Sequence, residues 1–534
     1  MKKLIFTLLI CFSFLPTALM SQAQLIVDLD DPVYSLFEVS DIRGLINNLS
    51  AVKPYNQNRV EDYLSRLITR GDFSAQEKGI INAAYREYSD KPSDFNIGVS
   101  EYSELRLDMA NINDLHSLNR VLTEFTGGLG AKFSYNVNLG LYLNMVDQDA
   151  FTPYGFSKDW DGFHIWFGEG KYSTGENDHL NFTFSSLPQL SYDVIDENVN
   201  LKLSRTRRDW GVGEGSLSLS ATARPIEAIE GRIKLAPWVE FSFLTGNLGD
   251  WTDPDAEQKM LSLHRIELFP FKWLYLSAWE SAVWAKRFEL SYLNPAMFYY
   301  VGQNISGDFD NIAIGGSFAV TASPYFRYYF SLFIDEFIND SWDRFFKTVN
   351  NQYAWQTGLK IPLPGLPFSL LTLQYTKIEP YCYTHYLQDH PSYSNDININ
   401  YANDGENIGY YLPPNSDEFL IKFSFYPVPK VFADIKYRLI RHGDGELVDG
   451  QIEGDIDDPL VYGSPTAYPD KDFLNDGIYE WINVFTIGAI YFMSSPDLNI
   501  RAEYSYVNGV NYDNIPGNKV VKHLFGIGVE VRFR

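Results

Sequence analysis

A short arginine-rich motif is the part of this chain whose residue types best suit the binding of an acidic sugar. It occupies residues 205–215 and reads RTRRDWGVGEG. The guanidinium groups of Arg207 and Arg208 can each hold a carboxylate through paired hydrogen bonds, and the indole of Trp210 can stack on a sugar ring. We therefore predict a glycan contact here. The alternative is that these residues fold a loop into the interior and neutralise Asp or Glu side chains there.

A second polar motif, KRFELSYLNP, occupies residues 286–295. It offers Arg287, Glu289 and Asn294 as further candidates for glycan contact, and a purely structural role is again the alternative. The glycines of the first motif do not form a phosphate-binding loop, because no Lys-Ser or Lys-Thr follows them and no βαβ unit surrounds them.

Signatures of catalysis and of metal binding are missing from the sequence. The eight histidines are scattered and form no His-x-x-x-His pattern, and no Gly-x-Ser-x-Gly is present. The stretch 443–478 carries ten acidic residues and one base, Lys471, but its spacing fails that of a calcium-binding EF-hand, which favours a solvated loop. We predict a non-enzyme without cofactor or metal, although sequence alone leaves open a catalytic triad assembled across strands.

The elements that must position these motifs are β-strands. In the last ten residues, FGIGVEVRFR, apolar side chains alternate with glycine or charge, so that one face is apolar and the other polar. The same alternation recurs at residues 431–439 and 498–506. An outer-membrane barrel needs this combination, because lipid lies on one side of each strand and a polar lumen on the other. Charges of both signs on the inner face predict ion pairs across the lumen.

The connections between strands are predicted to alternate between short turns and long loops. We expect short turns near Pro225, Pro270, Pro324, Pro364, Pro427 and Pro496. We expect long polar loops at 246–262, 287–310, 338–351, 385–416, 441–479 and 508–521. Thirteen strands then follow residue 215 and about five precede it. The fold class is an all-β transmembrane barrel of about eighteen antiparallel strands.

Two segments precede the barrel, which we place at residues 97–534. Residues 1–23 combine Lys2 and Lys3 with an apolar run and a Ser-Gln-Ala cleavage site, as in a cleaved signal peptide that leads to the outer membrane. Residues 24–92 show helical spacing. We predict one helix from Asp30 to Leu49 and a second that begins near Val60. A third opens with the capping box Ser74-Ala-Gln-Glu77. With an even strand count, this helical bundle lies on the periplasmic side.

At its two motifs the chain resembles the Wzi family of capsule-assembly outer-membrane proteins. The residues that carry the resemblance are the arginine-rich Trp-Gly-x-Gly stretch, the Arg-x-Glu…Asn-Pro segment and Lys53-Pro54-Tyr55 in the helical region. The resemblance to a Bacteroidetes-type member implies an eighteen-stranded barrel with a periplasmic helical bundle. It also implies a role in holding or organising capsular polysaccharide.

We therefore expect a non-enzymatic barrel that attaches surface polysaccharide. Its expected partners are outer-membrane lipid, lipopolysaccharide, capsular polysaccharide and periplasmic export components. The net charge of −25 argues against nucleic acid. The alternative function is a porin or uptake channel, since barrels of this size can hold a water-filled bore. The two functions differ in whether the lumen is filled.

Overall fold

The computed structural model describes most of the chain. The described residues are 25–70, 72–89, 96–108, 115–129, 133–145, 172–173, 181–195, 198–249, 259–307, 309–336, 351–385, 388–389, 396–397, 399–403, 406–444, 446–448, 451–453, 471, 473–474, 478–494 and 497–533. The predicted signal peptide, residues 1–23, and most of the acidic stretch 443–478 lie outside them.

Eighteen long antiparallel strands in the described part of the chain form one closed barrel. Each strand pairs with the next along the chain, and the last closes on the first, with Val99 opposite Phe533. The strands are β1 (Asn96–Asp108), β2 (Leu115–Leu129), β3 (Phe133–Met145), β4 (Asn181–Ile195), β5 (Val199–Thr206), β6 (Ile226–Ala236), β7 (Val239–Leu248), β8 (Lys259–Phe271), β9 (Leu274–Ala285), β10 (Asn311–Ala322), β11 (Phe326–Glu336), β12 (Gln352–Pro362), β13 (Leu370–Ile378), β14 (Ser416–Val428), β15 (Val431–His442), β16 (Glu480–Ser494), β17 (Asp497–Val510) and β18 (Lys519–Phe533). The predicted fold class and the thirteen strands after residue 215 are confirmed.

The strand bounds give the barrel a short-turn rim and a loop rim. Two residues separate β6 from β7 and β8 from β9, whereas 37 residues (379–415) separate β13 from β14. The predicted alternation of turns and loops is therefore confirmed. The prediction of a short turn at Pro225 is wrong, because this proline directly precedes β6 at the loop rim and the turn lies at Pro237 and Trp238. Proline suits the start of a strand, since it has no N–H to donate to the ladder.

The outer surface of the barrel is apolar. Exposed outward side chains include Ile97, Leu105, Val121, Leu139, Leu190, Leu201, Ile229, Ile314, Phe419, Ile487, Val521 and Ile527. Exposed aromatic residues, among them Trp238, Trp273 and Tyr325, mark the short-turn rim. An apolar band bordered by aromatic side chains is the surface that an outer-membrane barrel presents to lipid. Within the described residues, no helix has the length and apolar character needed to cross a membrane.

Three helices precede the barrel: α1 (Val33–Ile42), α2 (Gln57–Ile68) and α3 (Ala75–Ser89). The capping box of α3 is confirmed, because Ser74 Oγ accepts the Glu77 N–H at 3.2 Å and Glu77 Oε2 accepts the Ser74 N–H at 2.9 Å. The prediction that α1 continues to Leu49 is wrong. It ends at Ile42, and Gly44 follows with φ of +72° in close approach to a hydroxyl at the short-turn rim. That left-handed conformation favours glycine and ends the helix.

The helical segment, residues 25–89, occupies the mouth of the barrel at the short-turn rim. Its side chains reach strand residues close to the short turns. The contacts are Glu38 with Lys360 at 2.6 Å, Asp41 with Arg327, Arg59 with Glu240 at 2.8 Å and Ser50 with Glu267 at 2.5 Å. The backbone at Gly79 also approaches Pro429, in the turn between β14 and β15. Because these contacts involve β7, β8, β11 and β12, the helical segment is attached to several strands around the mouth of the barrel.

The inner face of the barrel differs from one side to the other. On β14, β15, β17 and β18 inward ion pairs run along the wall, within one strand or between neighbouring strands, whereas the sequence predicted pairs across the lumen. They are Asp434 with Lys436, Arg438 with Glu418, Arg501 with Glu503, and Arg532 with Glu530. On β7, β8, β9 and β11 the inward residues towards the loop rim include five large apolar side chains, Leu244, Leu261, Leu263, Trp279 and Phe333, beside the polar Lys259, Ser281 and Asp335. Apolar inward residues need apolar partners, and a loop inside the lumen supplies them.

Candidate functional site

The arginine-rich motif begins a loop that enters the barrel. This lumen loop, residues 207–225, connects β5 to β6 and starts and ends at the loop rim. Between those ends it descends towards the helical segment, where Trp210 pairs with Val52 in a two-residue antiparallel ladder. The carbonyl of Val212 accepts a hydrogen bond from Lys360 at 3.0 Å, near the short-turn rim. The loop therefore spans much of the lumen.

Arg208 ties the start of the lumen loop to the barrel wall. Its Nε donates to Glu230 at 2.6 Å, and its two terminal nitrogens donate to the carbonyls of Thr206, Ile226 and Ser204. The residue is 2 % exposed. Burial raises the cost of an unpaired charge, so these contacts are needed to keep the guanidinium inside.

Arg207 and Trp210 also contact the protein itself. Arg207 pairs with Asp30 at 2.6 Å and with Asp28 at 3.3 Å, both in the helical segment. Trp210 is 1 % exposed, and its carbonyl accepts from Arg265 of β8. These contacts are the ones expected if the motif folds a loop into the lumen and neutralises acidic side chains there. The predicted contact with a glycan stays a prediction for both residues.

An ionic cluster around the buried Lys360 holds the part of the lumen loop that lies nearest the short-turn rim. Glu214 lies 2.6 Å from Lys422 and 3.7 Å from Lys360, and Lys360 also pairs with Glu38 of α1. Burial alone would raise the pKa of Glu214, but Lys422 and Lys360 outweigh it and hold the pKa well below its usual range. One lysine, Lys360, thus joins β12, the lumen loop and the helical segment.

Two tyrosines bind the part of the lumen loop that returns towards the loop rim. Tyr383 and Tyr401 donate to the carbonyls of Leu217 and Ser218 at 2.9 and 2.7 Å. Both tyrosines belong to the connection between β13 and β14, the tyrosine loop, of which residues 379–385, 399–403 and 406–412 pack inside the barrel. Gly409 of this loop approaches the Leu217 carbonyl so closely that a Cβ would collide with it. Together the two loops build an apolar core inside the barrel.

Sequence reasoning missed Lys360, Glu214 and the tyrosine loop as functional parts of the lumen. The lysine and glutamate gave no local signal, because their partners are distant in the chain. The tyrosine loop did give one, since residues 381–411 contain seven tyrosines. Such a density of large side chains with a hydroxyl at the tip is typical of buried surfaces that still need hydrogen bonds.

The second motif lies outside the barrel. The connection between β9 and β10 contains α4 (Leu290–Leu293) and α5 (Tyr299–Ser306). Arg287 pairs with Asp310, Glu289 accepts the Ser291 N–H at 3.2 Å as the cap of α4, and Asn294 accepts the Ala296 N–H at 3.1 Å. Of these three, Asn294 is exposed and the other two are half-buried. Their contact with a glycan likewise stays a prediction.

The structure does not bring the two predicted groups together. The first lies in the lumen, whereas the second lies against outward side chains of β9, on the other side of the wall. Across the described ranges, no group of three or more His, Cys, Asp or Glu side chains is arranged to hold a metal ion. A single site formed by both motifs is therefore ruled out in this conformation.

These features define a class: an eighteen-stranded barrel of the outer-membrane type with a lumen filled by its own loops and helices. No protein-family model and no curated relative matches the chain. Among solved structures, it is similar to the Escherichia coli protein Wzi, described as an outer-membrane protein involved in group 1 capsule assembly and a carbohydrate-binding β-barrel. The TM-score is 0.58 at 12 % identity, and the match covers 95 % of this chain and 99 % of that chain. The likeness confirms the fold that the resemblance implied.

Other barrels are more distantly similar. OprD from Pseudomonas aeruginosa has a TM-score of 0.44 at 10 % identity, over 82 % of this chain and 95 % of that chain. OccAB2 from Acinetobacter baumannii also has a TM-score of 0.44, at 11 % identity, over 82 % of this chain and 98 % of that chain.

Proposed function

We propose that this protein is a non-enzymatic outer-membrane barrel that holds or organises capsular polysaccharide at the cell surface. The observation that carries the proposal is a lumen occupied by the helical segment, the lumen loop and the tyrosine loop. A barrel filled in this way has little use as a conduit, and its long polar loops lie at the loop rim. The fold shared with Wzi, a carbohydrate-binding barrel, supports a surface polysaccharide as the partner.

The orientation of the barrel supports the same role. In outer-membrane barrels the long loops face the outside of the cell and the short turns face the periplasm. The loop rim would then meet the polysaccharide. The helical segment would face the periplasm, where components of polysaccharide export would reach it.

The alternative function is uptake of small solutes or oligosaccharides through the bore. It requires an open path, and the ionic cluster around Lys360 and the apolar core around Tyr383 and Tyr401 oppose one. For uptake, both loops would have to leave their partners together. We therefore favour polysaccharide attachment.

The six residues predicted to contact a glycan differ in how exposed their side chains are. A glycan can touch a side chain only if it is exposed, and Arg208 and Trp210 are buried, whereas Asn294 is exposed. Asn294→Ala is therefore the sharper test of direct contact, and Arg208→Ala tests support of the lumen loop. Arg66→Ala, at an exposed ion pair of the helical segment, is the matched control.

The function is tested by deleting the gene in its native host and staining the cell-attached and released polysaccharide. We expect polysaccharide to be made but shed, and the wild-type gene to restore attachment. The Arg66→Ala gene should restore it fully, and the Asn294→Ala gene only partly. Unchanged attachment after deletion would reject the function and leave the fold intact. Full restoration by Asn294→Ala would reject only that contact.

A further inference from the structure

The connection between β9 and β10 packs on the outside of the barrel wall. We call residues 286–307 the outer-wall segment. Tyr292 and Tyr299 of this segment are buried against Trp284 and Ala282, which point away from the lumen. The two tyrosine rings also contact each other, with centroids 5.8 Å apart. Long barrel loops can project from the rim or fold inward, and this one instead covers part of the outer wall.

A polar pair on the barrel wall explains where the segment is attached. His264 of β8 and Glu280 of β9 face outward and lie 3.3 Å apart. Glu280 accepts the backbone N–H groups of Tyr299 and Tyr300, both at 2.7 Å, at the start of α5. The ring of Tyr299 covers His264, with centroids 4.4 Å apart. The segment therefore shields two ionisable side chains on the outer face.

The height of this pair on the wall places it among lipid-facing residues. In the strand register, Glu280 lies opposite Ile314 of β10, and Ile314 lies opposite Ile334 of β11. Ile314 is 46 % exposed and points outward. A carboxylate left bare at this level would face hydrocarbon, which is costly. The outer-wall segment covers that carboxylate at the level where its neighbours meet lipid.

The free surface of the outer-wall segment is itself apolar. Phe288, Phe298 and Ile305 are 76 %, 72 % and 71 % exposed. Tyr300 and Val301 join Ile305 on the outer side of α5, and Leu290 is also exposed. So large an exposed apolar patch marks an interaction surface. Since the patch continues the lipid-facing wall of the same barrel, the occupant it fits is lipid.

We propose that the outer-wall segment is a membrane anchor that inserts its apolar side chains into the outer leaflet beside the barrel. Tyr299, Tyr292 and the Glu280 contacts hold it on the wall, while Val301, Ile305 and Phe298 face lipid. The anchor rests on the membrane location of the barrel and not on the polysaccharide function, so each can fail alone.

The test measures which solvent surrounds the segment. Cys382 is buried and is the one cysteine outside the predicted signal peptide, so single labelling sites can be added. Val301→Cys and Ile305→Cys are labelled with a nitroxide in vesicles of phosphatidylethanolamine and phosphatidylglycerol. Collision with oxygen, which dissolves in lipid, is compared with collision with a water-soluble nickel complex. Ile314→Cys is the lipid-facing control, and Pro516→Cys, exposed at the loop rim, is the water-facing control.

We expect the ratio of oxygen collisions to nickel collisions at Val301→Cys and Ile305→Cys to equal that at Ile314→Cys and to exceed that at Pro516→Cys. A ratio equal to that of Pro516→Cys would overturn the anchor and leave the segment in water. Low collision with both reagents, together with disulfide-linked dimers of Val301→Cys, would overturn it in favour of contact with a second copy.

Discussion

Arg208 is a single residue that holds the start of the lumen loop against the barrel wall. Its charge is paired with Glu230 and its remaining donors reach backbone carbonyls, all in a buried setting. Removing one partner of a buried pair typically costs about 3–5 kcal/mol when the other charge is left uncompensated, but Glu230 would keep Lys202 at 3.3 Å. We therefore expect Arg208→Ala to lower the free energy of unfolding by about 1.5–3 kcal/mol, the contribution of hydrogen bonds to a charged group, measured by urea titration in lipid vesicles.

The control for this prediction is Arg66→Ala. Arg66 forms an exposed pair with Asp62 four residues earlier on α2, and such pairs contribute at most about 1 kcal/mol. Equal stability of the two variants would show that Arg208 is not needed to hold the lumen loop.

Residue types in the motif could be read from the sequence, but their partners could not. Arginine beside tryptophan indicated either a glycan contact or an inward loop that neutralises acids. The partners that hold the inward loop are Glu230, which follows Arg208 by 22 residues, and Asp30, which precedes Arg207 by 177. Pairings at such separations follow from the closure of the barrel, which a single sequence does not specify.

Among the elements, the helices could be predicted where their signals are local. The capping box fixed the start of α3, because both hydrogen bonds lie within four residues. The end of α1 could not be predicted. Leu45 and Leu49 continue its apolar spacing, but they lie in a non-helical segment after Gly44 and pack against the apolar core of the helical segment. Tertiary packing there overrides the helical period.

The capping box predicts that the stability of α3 depends on pH. Burial raises the pKa of Glu77, but the Ser74 N–H and Arg43 more than offset it, so the folded pKa lies below the usual value. The ionised carboxylate therefore stabilises the helix above the unfolded pKa of about 4.3, and this contribution is lost as pH falls through the folded value. Because Glu77 is partly exposed, the contribution is at most about 1 kcal/mol.

The measurement is hydrogen–deuterium exchange of α3 in wild-type protein and in Glu77→Gln, compared at the same pH. We expect faster exchange in the variant at neutral pH and a difference that shrinks below about pH 4. Asp72→Asn, at an exposed carboxylate in the preceding loop, should match wild-type protein throughout. A difference that grows on acidification would contradict the assignment of Glu77.

At the scale of the whole molecule, the alternation of side chains predicted the barrel and its strand count. It could not predict how the lumen is filled. On β9 both faces carry large apolar side chains near the loop rim, with Trp279 and Val283 against the lumen core and Ala282 and Trp284 against the outer-wall segment. Two loops that fold onto opposite sides of one wall account for this pattern. The alternation of apolar and polar side chains is lost where protein covers both faces of the strand.

The filled lumen predicts a barrel without a resting conductance. Ser35 of α1 and Ser424 of β14 have hydroxyl oxygens 3.4 Å apart, close enough for a pair of cysteines to form a disulfide after small adjustments. We expect purified protein in planar bilayers to show no sustained open channels. Ser35→Cys with Ser424→Cys should behave identically whether oxidised or reduced, because the helical segment already occupies the mouth. Ser35→Cys alone is the control for the substitution.

Two results would contradict this prediction, and they point to different paths. Sustained channels that close on oxidation of the cysteine pair and reopen on reduction would mean that the helical segment moves as a gate, as an uptake channel requires. Sustained channels that ignore the disulfide would mean that solutes pass beside the segment, between the lumen loop and the β14–β18 wall. That wall carries the inward ion pairs of Arg501 and Arg532, so a path there should also select ions by charge.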